Sequence, residues 1–277
     1  MPKQRLQPNV SAGNGVGALA MTVLRRGLAG FCLMAALAAG GCQTDGLQNQ
    51  PQASVSGSVC VASAIGHRFD VQTIGITIFG NSLQSTPIDS WGIDDLAASK
   101  VAALLPGMTV RRMYLSRPAL LAYETRQAGD IFTRNRNAEF MTALRAAALT
   151  VPKCNFYLAI VRYRGQDAGT NQIISGLGVV KHDATIVSRT TVFAVITPML
   201  YDSNFNNIRM PFSASDFGNA MAAGLSGASP NHQEIDNANW PSTPQAAVQN
   251  AVLRDTTKML IDRILTRTVP RLFQSEG

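Results

Sequence analysis

From residue 59 to the end of the chain, short apolar runs typical of strands alternate with segments in which apolar residues recur at helical spacing. Short apolar-rich runs predict strands. They are SVCVASAIG, VQTIGITIF, MTVRRMYL, CNFYLAIVRY, QIISGLGVV and TTVFAVITPMLYD. Apolar stripes at helical spacing predict three helices, in IDSWGIDDLAASKVAALLPG, in NAEFMTALRAAAL and from about residue 245 to residue 273.

The predicted element order is therefore β-β-α-β-α-β-β-β-α. Early helices followed by a meander of strands are typical of an α+β fold. We predict a mixed, largely antiparallel sheet, with helices mainly on one face and a long C-terminal helix. This order is similar to that of the periplasmic lipoprotein domains of the curli-secretion and penicillin-binding-protein activator type, a resemblance of topology alone.

The first 58 residues lack this alternation. Residues 1–20 are polar and glycine-rich, and Met21 offers a natural start, so they are a candidate over-extension of the reading frame. Residues 21–41 carry a positive pair, Arg25 and Arg26, then a short apolar run and small residues, which is the layout of a secretory signal. Residues 42–58 are polar, with the composition of a flexible tether. We predict a single domain over residues 59–277.

The signal ends at a cysteine, in the sequence LAAGGC. This segment resembles the lipobox of bacterial lipoproteins, although Ala39 stands where leucine is most common. The resemblance implies cleavage before Cys42 and lipid attachment to its sulfur, so that the protein is held on a membrane by its N-terminal lipid. Gln43 follows, where an aspartate commonly retains lipoproteins in the inner membrane. We therefore expect a location on the outer membrane, facing the periplasm.

Removing the leader changes the charge. The chain carries a net charge of +7, but the leader holds four basic residues and no acid. The mature chain would be left near +3, and nucleic acid is an unexpected partner for an exported protein.

Two cysteines remain in the predicted domain, Cys60 and Cys154, each opening an apolar run. Neighbouring strands would bring the two sulfurs within bonding distance, and an oxidising compartment would allow a disulfide. Two buried thiols are the alternative.

Residues 79–83 read FGNSL. A family of bacterial lipases and esterases places its nucleophilic serine in FGDSL, and this segment resembles it with Asn81 in place of the aspartate. The family also needs an Asp-x-x-His base, and none of the three histidines has an aspartate three residues before it. Gly80 and Asn81 are turn-forming residues that can end a strand. A hydrolase using Ser82 is therefore the alternative to a non-catalytic protein.

Other catalytic and metal-binding patterns are missing from the sequence. It contains no His-x-x-x-His, Cys-x-x-Cys or phosphate-binding glycine loop. Asp89, Asp94 and Asp95 could hold a hard cation, but such residues more often cap a helix. Trp91 among them is interpreted as a packing staple rather than a binding anchor. We predict neither a metal nor a cofactor.

One charged feature remains. Residues 100–164 contain eleven basic residues against three acidic ones, and nine of the eleven are arginines. Arginine favours carboxylate and phosphate partners. The arginine segment, residues 125–137, contains Arg126, Arg134 and Arg136. We expect these side chains to contact an anionic envelope component or an envelope protein, in a binding or scaffolding role. The alternative is that the arginines lie on separate faces and are simply solvated.

Overall fold

The computed structural model describes residues 56–75, 78–116, 136–167, 172–183, 188–209 and 231–274. All of them belong to the unit Pro51–Gly277. The leader, Cys42, Arg126 and Arg134 lie outside the described residues. Arg136 is described only as the first backbone position of a helix.

The described residues form strands and helices in the mixture that the sequence predicts. The strands are β1 Gly57–Ala64, β2 Arg68–Gly75, β3 Ser82–Pro87, β4 Met108–Met113, β5 Phe156–Arg162, β6 Arg164–Gln166, β7 Ile173–Asp183, β8 Arg189–Asp202, β9 Asn207–Arg209 and β10 His232–Ile235. The helices are α1 Ile93–Leu104, α2 Arg136–Ala148, α3 Pro244–Gln249 and α4 Ala251–Leu272. The predicted α+β class is confirmed.

The main path of the sheet runs β3-β2-β7-β8-β5-β1-β4. Strand β1 pairs in parallel with β4 and β5, and β2 pairs in parallel with β7. The remaining six pairings are antiparallel. The sheet is therefore mixed and largely antiparallel, as predicted.

Strand β8 joins the two halves of the sheet. Its residues 189–195 pair with β7, and its residues 196–202 pair with β5. Tyr163, between β5 and β6, lies where β7 and β8 separate. Its amide donates to the carbonyl of Val195 over 2.9 Å, and its carbonyl accepts from the amide of Gly176 over 3.1 Å. Because β5 pairs with β8 and β6 pairs with β7, the continuous segment β5–β6 bonds to both strands where they separate. We call this point the fork of the sheet.

Alternate strand residues build a separate core on each face of the sheet. Val59 and Val61 of β1 belong to the larger core, which also contains side chains of α1, α3 and α4. Cys60 and Ala62 belong to a second core on the opposite face, covered by α2. Three of the four described helices thus share one face, which confirms the prediction that the helices lie mainly on one side.

The predicted C-terminal helix is interrupted once. Asn250 has an extended backbone, and its side chain accepts a hydrogen bond from the amide of Leu253 as the N-cap of α4. Thr243 caps the short α3 in the same way. Asn250 therefore divides the apolar stripe of residues 245–273 into α3 and α4, because its side chain satisfies a free backbone amide at the start of α4.

Cys60 and Cys154 are joined by a disulfide that closes a sequence separation of 94 residues. Cys60 lies in β1, and Cys154 precedes β5, the parallel neighbour of β1. Both cysteines are buried against α2. The disulfide therefore joins the residues just before β5 to the middle of β1, within the second core.

Among the described helices, none is both long enough and apolar enough to cross a bilayer.

Candidate functional site

Two histidines and one aspartate meet at the β10 side of the sheet. Asp167 follows β6, and its amide donates to the carbonyl of Gln172 across the turn into β7. His182 lies near the end of β7, opposite Arg189 of β8. His232 opens β10, opposite Phe193 of β8. Since Arg189 and Phe193 are an even number of residues apart, both histidines lie on the same face of the sheet.

We call Asp167, His182 and His232 the histidine cluster. The Nε2 atom of His182 lies 2.6 Å from Oδ2 of Asp167, and Nε2 of His232 lies 3.9 Å from Oδ1. The Asp167 side chain is 2% exposed, and those of His182 and His232 are 13% and 15% exposed. The short distance between Nε2 of His182 and Oδ2 of Asp167 is that of a hydrogen bond.

The surroundings oppose a charge on His232. Burial has the largest effect on the pKa of His232 and lowers it. Asp167 raises this pKa, and Arg189 and His182 lower it further. A nearby carboxylate favours the imidazolium, but desolvation and two neighbouring basic groups outweigh it. His232 is therefore held mainly in its neutral form near pH 7.

The cluster adjoins a small apolar layer on the same face of the sheet, formed by Ile74, Ile174, Val180, Phe193 and Val195. Thr191 is buried on this face, and its hydroxyl has no hydrogen-bond partner among the described residues. Nδ1 of His182 likewise has none within the described ranges. The described part of the chain contains no group of three or more His, Cys, Asp or Glu residues arranged to hold a metal ion. The histidine cluster therefore lies beside a buried apolar layer.

A second buried charge lies at the fork of the sheet. The side chain of Arg162 is 1% exposed and donates to Oδ2 of Asp70 over 2.7 Å. It also donates to the carbonyls of Arg68 and Ser175, over 2.8 Å and 3.0 Å. Asp70 in turn accepts from the hydroxyl of Ser85 over 2.6 Å. Because both charges are paired and hydrogen-bonded, this ion pair tolerates burial and ties β2, β5 and β7 together.

The FGNSL segment forms a turn and the start of an edge strand. Oδ1 of Asn81 accepts from the amide of Gly75 over 3.0 Å, which closes the connection from β2 to β3. Ser82 is exposed and pairs with Thr73, which pairs with Lys181. Residues in register share a face, so Ser82 lies on the face opposite His182. His67 lies before β2, next to Arg68, which pairs with Pro87 at the far end of β3. The described residues therefore do not bring a histidine to Ser82.

The acidic group near α1 holds turns together. Asp94 accepts from the hydroxyl of Ser63 over 2.5 Å and from the amides of Ile65 and Gly66 over 3.0 and 3.2 Å. Asp95 pairs with Arg112. The helix cap itself is Gly92, so Asp94 secures the turn from β1 to β2 rather than its own helix.

Trp91 is buried, in agreement with its interpretation as a packing residue. Its ring centroid lies 5.1 Å from that of Phe69, and its Nε1 donates to the carbonyl of Val248 over 2.9 Å. The residue thus links β2 to α3 beside the start of α1.

The described members of the basic stretch are distributed over several elements. Lys100 pairs with Asp262 at 2.5 Å, Arg112 pairs with Asp95, and Arg162 is buried. Arg145 lies over the ring of Phe205, 5.7 Å from its centroid. These four residues lie on four different elements, α1, β4, β5 and α2, and each contacts another part of the body. The side chains of the arginine segment lie outside the described residues.

Comparison with known proteins gives little further information. No protein-family model and no curated protein matches the chain. One solved structure that matches is the "1.65A resolution structure of the hypothetical protein CT253 from Chlamydia trachomatis". It is 8% identical, covers 76% of this chain and 98% of that chain, and superposes with a TM-score of 0.29.

Sequence reasoning did not find the histidine cluster. His182 and His232 are separated by 50 residues, and neither belongs to a spaced motif. The structure places His182 near the end of β7, beside Asp183. Its sequence neighbours Lys181 and Asp183 are polar, so no local pattern marks it, and its partners follow only from the strand order.

Proposed function

We propose that this protein is an exported lipoprotein of the bacterial envelope, anchored through Cys42, whose body has a binding or scaffolding role. The anchor follows from the leader, with its positive pair, short apolar run and cysteine after small residues. The body would stand off the membrane on the tether of residues 42–58.

The observation that carries the proposal is the disulfide between Cys60 and Cys154. Disulfides persist in oxidising compartments such as the periplasm and are rare in the cytosol. A secretory-type leader and a buried disulfide are independent features of the chain, and both point to export.

The described side chains support a non-catalytic role. Both oxygens of Asp70 and one oxygen of Asp94 accept internal hydrogen bonds, and Ser82 lies on the sheet face opposite His182. The alternative, a hydrolase using Ser82, would need a base to activate the hydroxyl. None of the described histidines is placed to act as one.

The proposed contact surface is the arginine segment, which leads from β4 into α2. Strand β4 is the last strand of the main path of the sheet, so this connection leaves from an edge. Three arginines within eleven residues, from Arg126 to Arg136, can offer planar hydrogen-bond donors to phosphate or carboxylate groups. The partner we propose is an anionic lipid surface of the envelope.

Vesicle sedimentation tests this surface. The full-length chain carrying Cys42→Ala would be mixed with phosphatidylethanolamine vesicles with and without phosphatidylglycerol. We expect binding to the anionic vesicles, weakened about tenfold or more by replacing Arg126, Arg134 and Arg136 with glutamine, since each basic residue near such a surface contributes about 1 kcal/mol.

The matched control replaces three arginines of α4, Arg254, Arg263 and Arg267, with glutamine and changes the net charge equally. We expect this variant to keep most of its binding. Equal losses in both variants, or no binding by the parent chain, would overturn the assignment to the arginine segment.

A further inference from the structure

Strand β10 is short, and one of its edges pairs with β8. It spans four residues, His232–Ile235, and pairs with β8 in antiparallel register. Ile235 packs against the larger core, and the His232 side chain lies on the opposite face of the sheet. A strand this short has few backbone hydrogen bonds of its own. The flanking residues Asn231 and Asn237 also accept hydrogen bonds from β8, from the amide of Ala194 and the hydroxyl of Thr190.

The histidine cluster brings a side chain of β10 close to Asp167 and to a side chain of β7. Asp167 contacts His182 of β7 at 2.6 Å and lies 3.9 Å from Nε2 of His232, a distance too long for a direct hydrogen bond. The basic groups that act on His232 are His182 from β7 and Arg189 from β8, and the acidic one is Asp167 beyond β6. Glu234, two residues along β10, lies on the same face opposite Thr191.

We propose that the histidine cluster is an acid-sensitive latch, which holds β10 against β8 when His232 is neutral and releases it when His232 is protonated. The ligand of this site is the proton, and the element that moves is β10 with the residues beside it.

The direction follows from linkage. The folded environment lowers the pKa of His232, so the proton binds more tightly once β10 has left the sheet and His232 is hydrated. Above the pKa of an exposed histidine, about 6.5, both forms are neutral and pH has no effect. As the pH falls below that value, the released form gains the proton first, and the ratio of released to bound β10 rises by up to about tenfold per pH unit. The effect stops growing below the lowered pKa of the bound form.

The latch does not depend on the proposed anchor, because it is a property of the folded body. If the body does face the periplasm, its surroundings follow the pH of the medium more closely than the cytosol does. A latch could then change the exposed surface of the body in acid.

Hydrogen–deuterium exchange of the untagged full-length chain tests the latch. Exchange of the amides of residues 231–235 would be compared at pH 7.5 and pH 5.0, with EDTA present and after correction for the intrinsic rates. We expect protection of this segment to be lower at pH 5.0 than at pH 7.5, while protection of β1 and β5 is unchanged.

Two variants and one titration make the test specific. His232→Gln should remove the dependence on pH, and the control His67→Gln, at a buried histidine outside the cluster, should retain it. The chain has only three histidines, so imidazole NMR signals can be assigned from these variants. The protonation midpoint of His232 should lie below 6.5 and should accompany the loss of protection. Protection that is independent of pH, or a loss that persists in His232→Gln, would overturn the proposal.

Discussion

Two glycines with left-handed backbones have very different surroundings. Gly176, with φ of 67°, lies against the buried guanidinium of Arg162, and a Cβ there would lie 2.1 Å from its Nε atom. Gly92, with φ of 63°, has no heavy atom within 4 Å of the same position. Gly176 therefore lets Arg162 reach its partners at the fork of the sheet, whereas Gly92 serves only the backbone turn before α1.

We expect Gly92→Ala to lower the free energy of unfolding by about 1 kcal/mol, the usual cost of the left-handed region. Gly176→Ala should cost about 3 kcal/mol or more, because it adds the displacement of a buried, ion-paired side chain. Urea denaturation of the two variants at one pH measures the difference. Equal costs would show that Arg162 can move aside freely, contrary to the packing described above.

Arg162 also shows a limit of sequence reasoning at this scale. In the sequence it belongs to a basic stretch, and charge counting assigned it to a surface. It ends β5, a strand that is almost wholly buried, at the point where β7 and β8 separate. Its partner Asp70 lies 92 residues earlier. A pairing over that distance depends on strand order, which local patterns do not contain.

Among the elements, the boundary between α3 and α4 is set by one side chain. Asn250 caps α4 through the amide of Leu253, and its side-chain amide donates to the carbonyl of Asn239 over 3.1 Å. Asn250→Ala should lower the free energy of unfolding by about 1 kcal/mol, the usual value for a lost N-cap. Thermal or urea denaturation measures this, and Gln249→Ala, one residue earlier, is the control and should change little. A neutral Asn250→Ala would mean that the two helices need no cap between them.

Long apolar elements were predictable and short polar ones were not. Strands β1, β2, β4, β5, β7 and β8 and helices α1 and α2 fall within a few residues of their predicted positions, because each has an apolar period. Strand β3, with the sequence SLQSTP, has one large apolar residue and was not predicted as a strand. Strands β6, β9 and β10 have three or four residues each, too few for a period to show.

The histidine cluster was not predicted for the same reason. Two of the three members of the histidine cluster belong to short elements or their ends, His232 in β10 and Asp167 after β6. Because sequence patterns did not identify these elements, they could not bring the three residues together. The cysteine pair was easier, since both cysteines adjoin long apolar strands and neighbouring strands are the natural place for a disulfide.

For the whole molecule, the sheet and its two cores give a body with buried ion pairs, turns closed by Asp94 and Asn81, and one disulfide. These features connect the elements of the body to one another, and in our proposals this body acts as a scaffold with a proton-sensitive edge at β10. The arginine segment and the lipid-attachment cysteine would supply its contacts. The proposed role therefore depends on where the protein is located, and the proposed location depends on Cys42.

Intact-mass analysis of the protein from the membrane fraction tests that location most directly, beside a Cys42→Ala variant. We predict a mature chain that begins at Cys42 and carries the added mass of a lipid, and we predict that the variant loses both the lipid and the membrane association. A soluble product without lipid in the parent chain would contradict the account. It would remove the anchor on which the proposed envelope role depends.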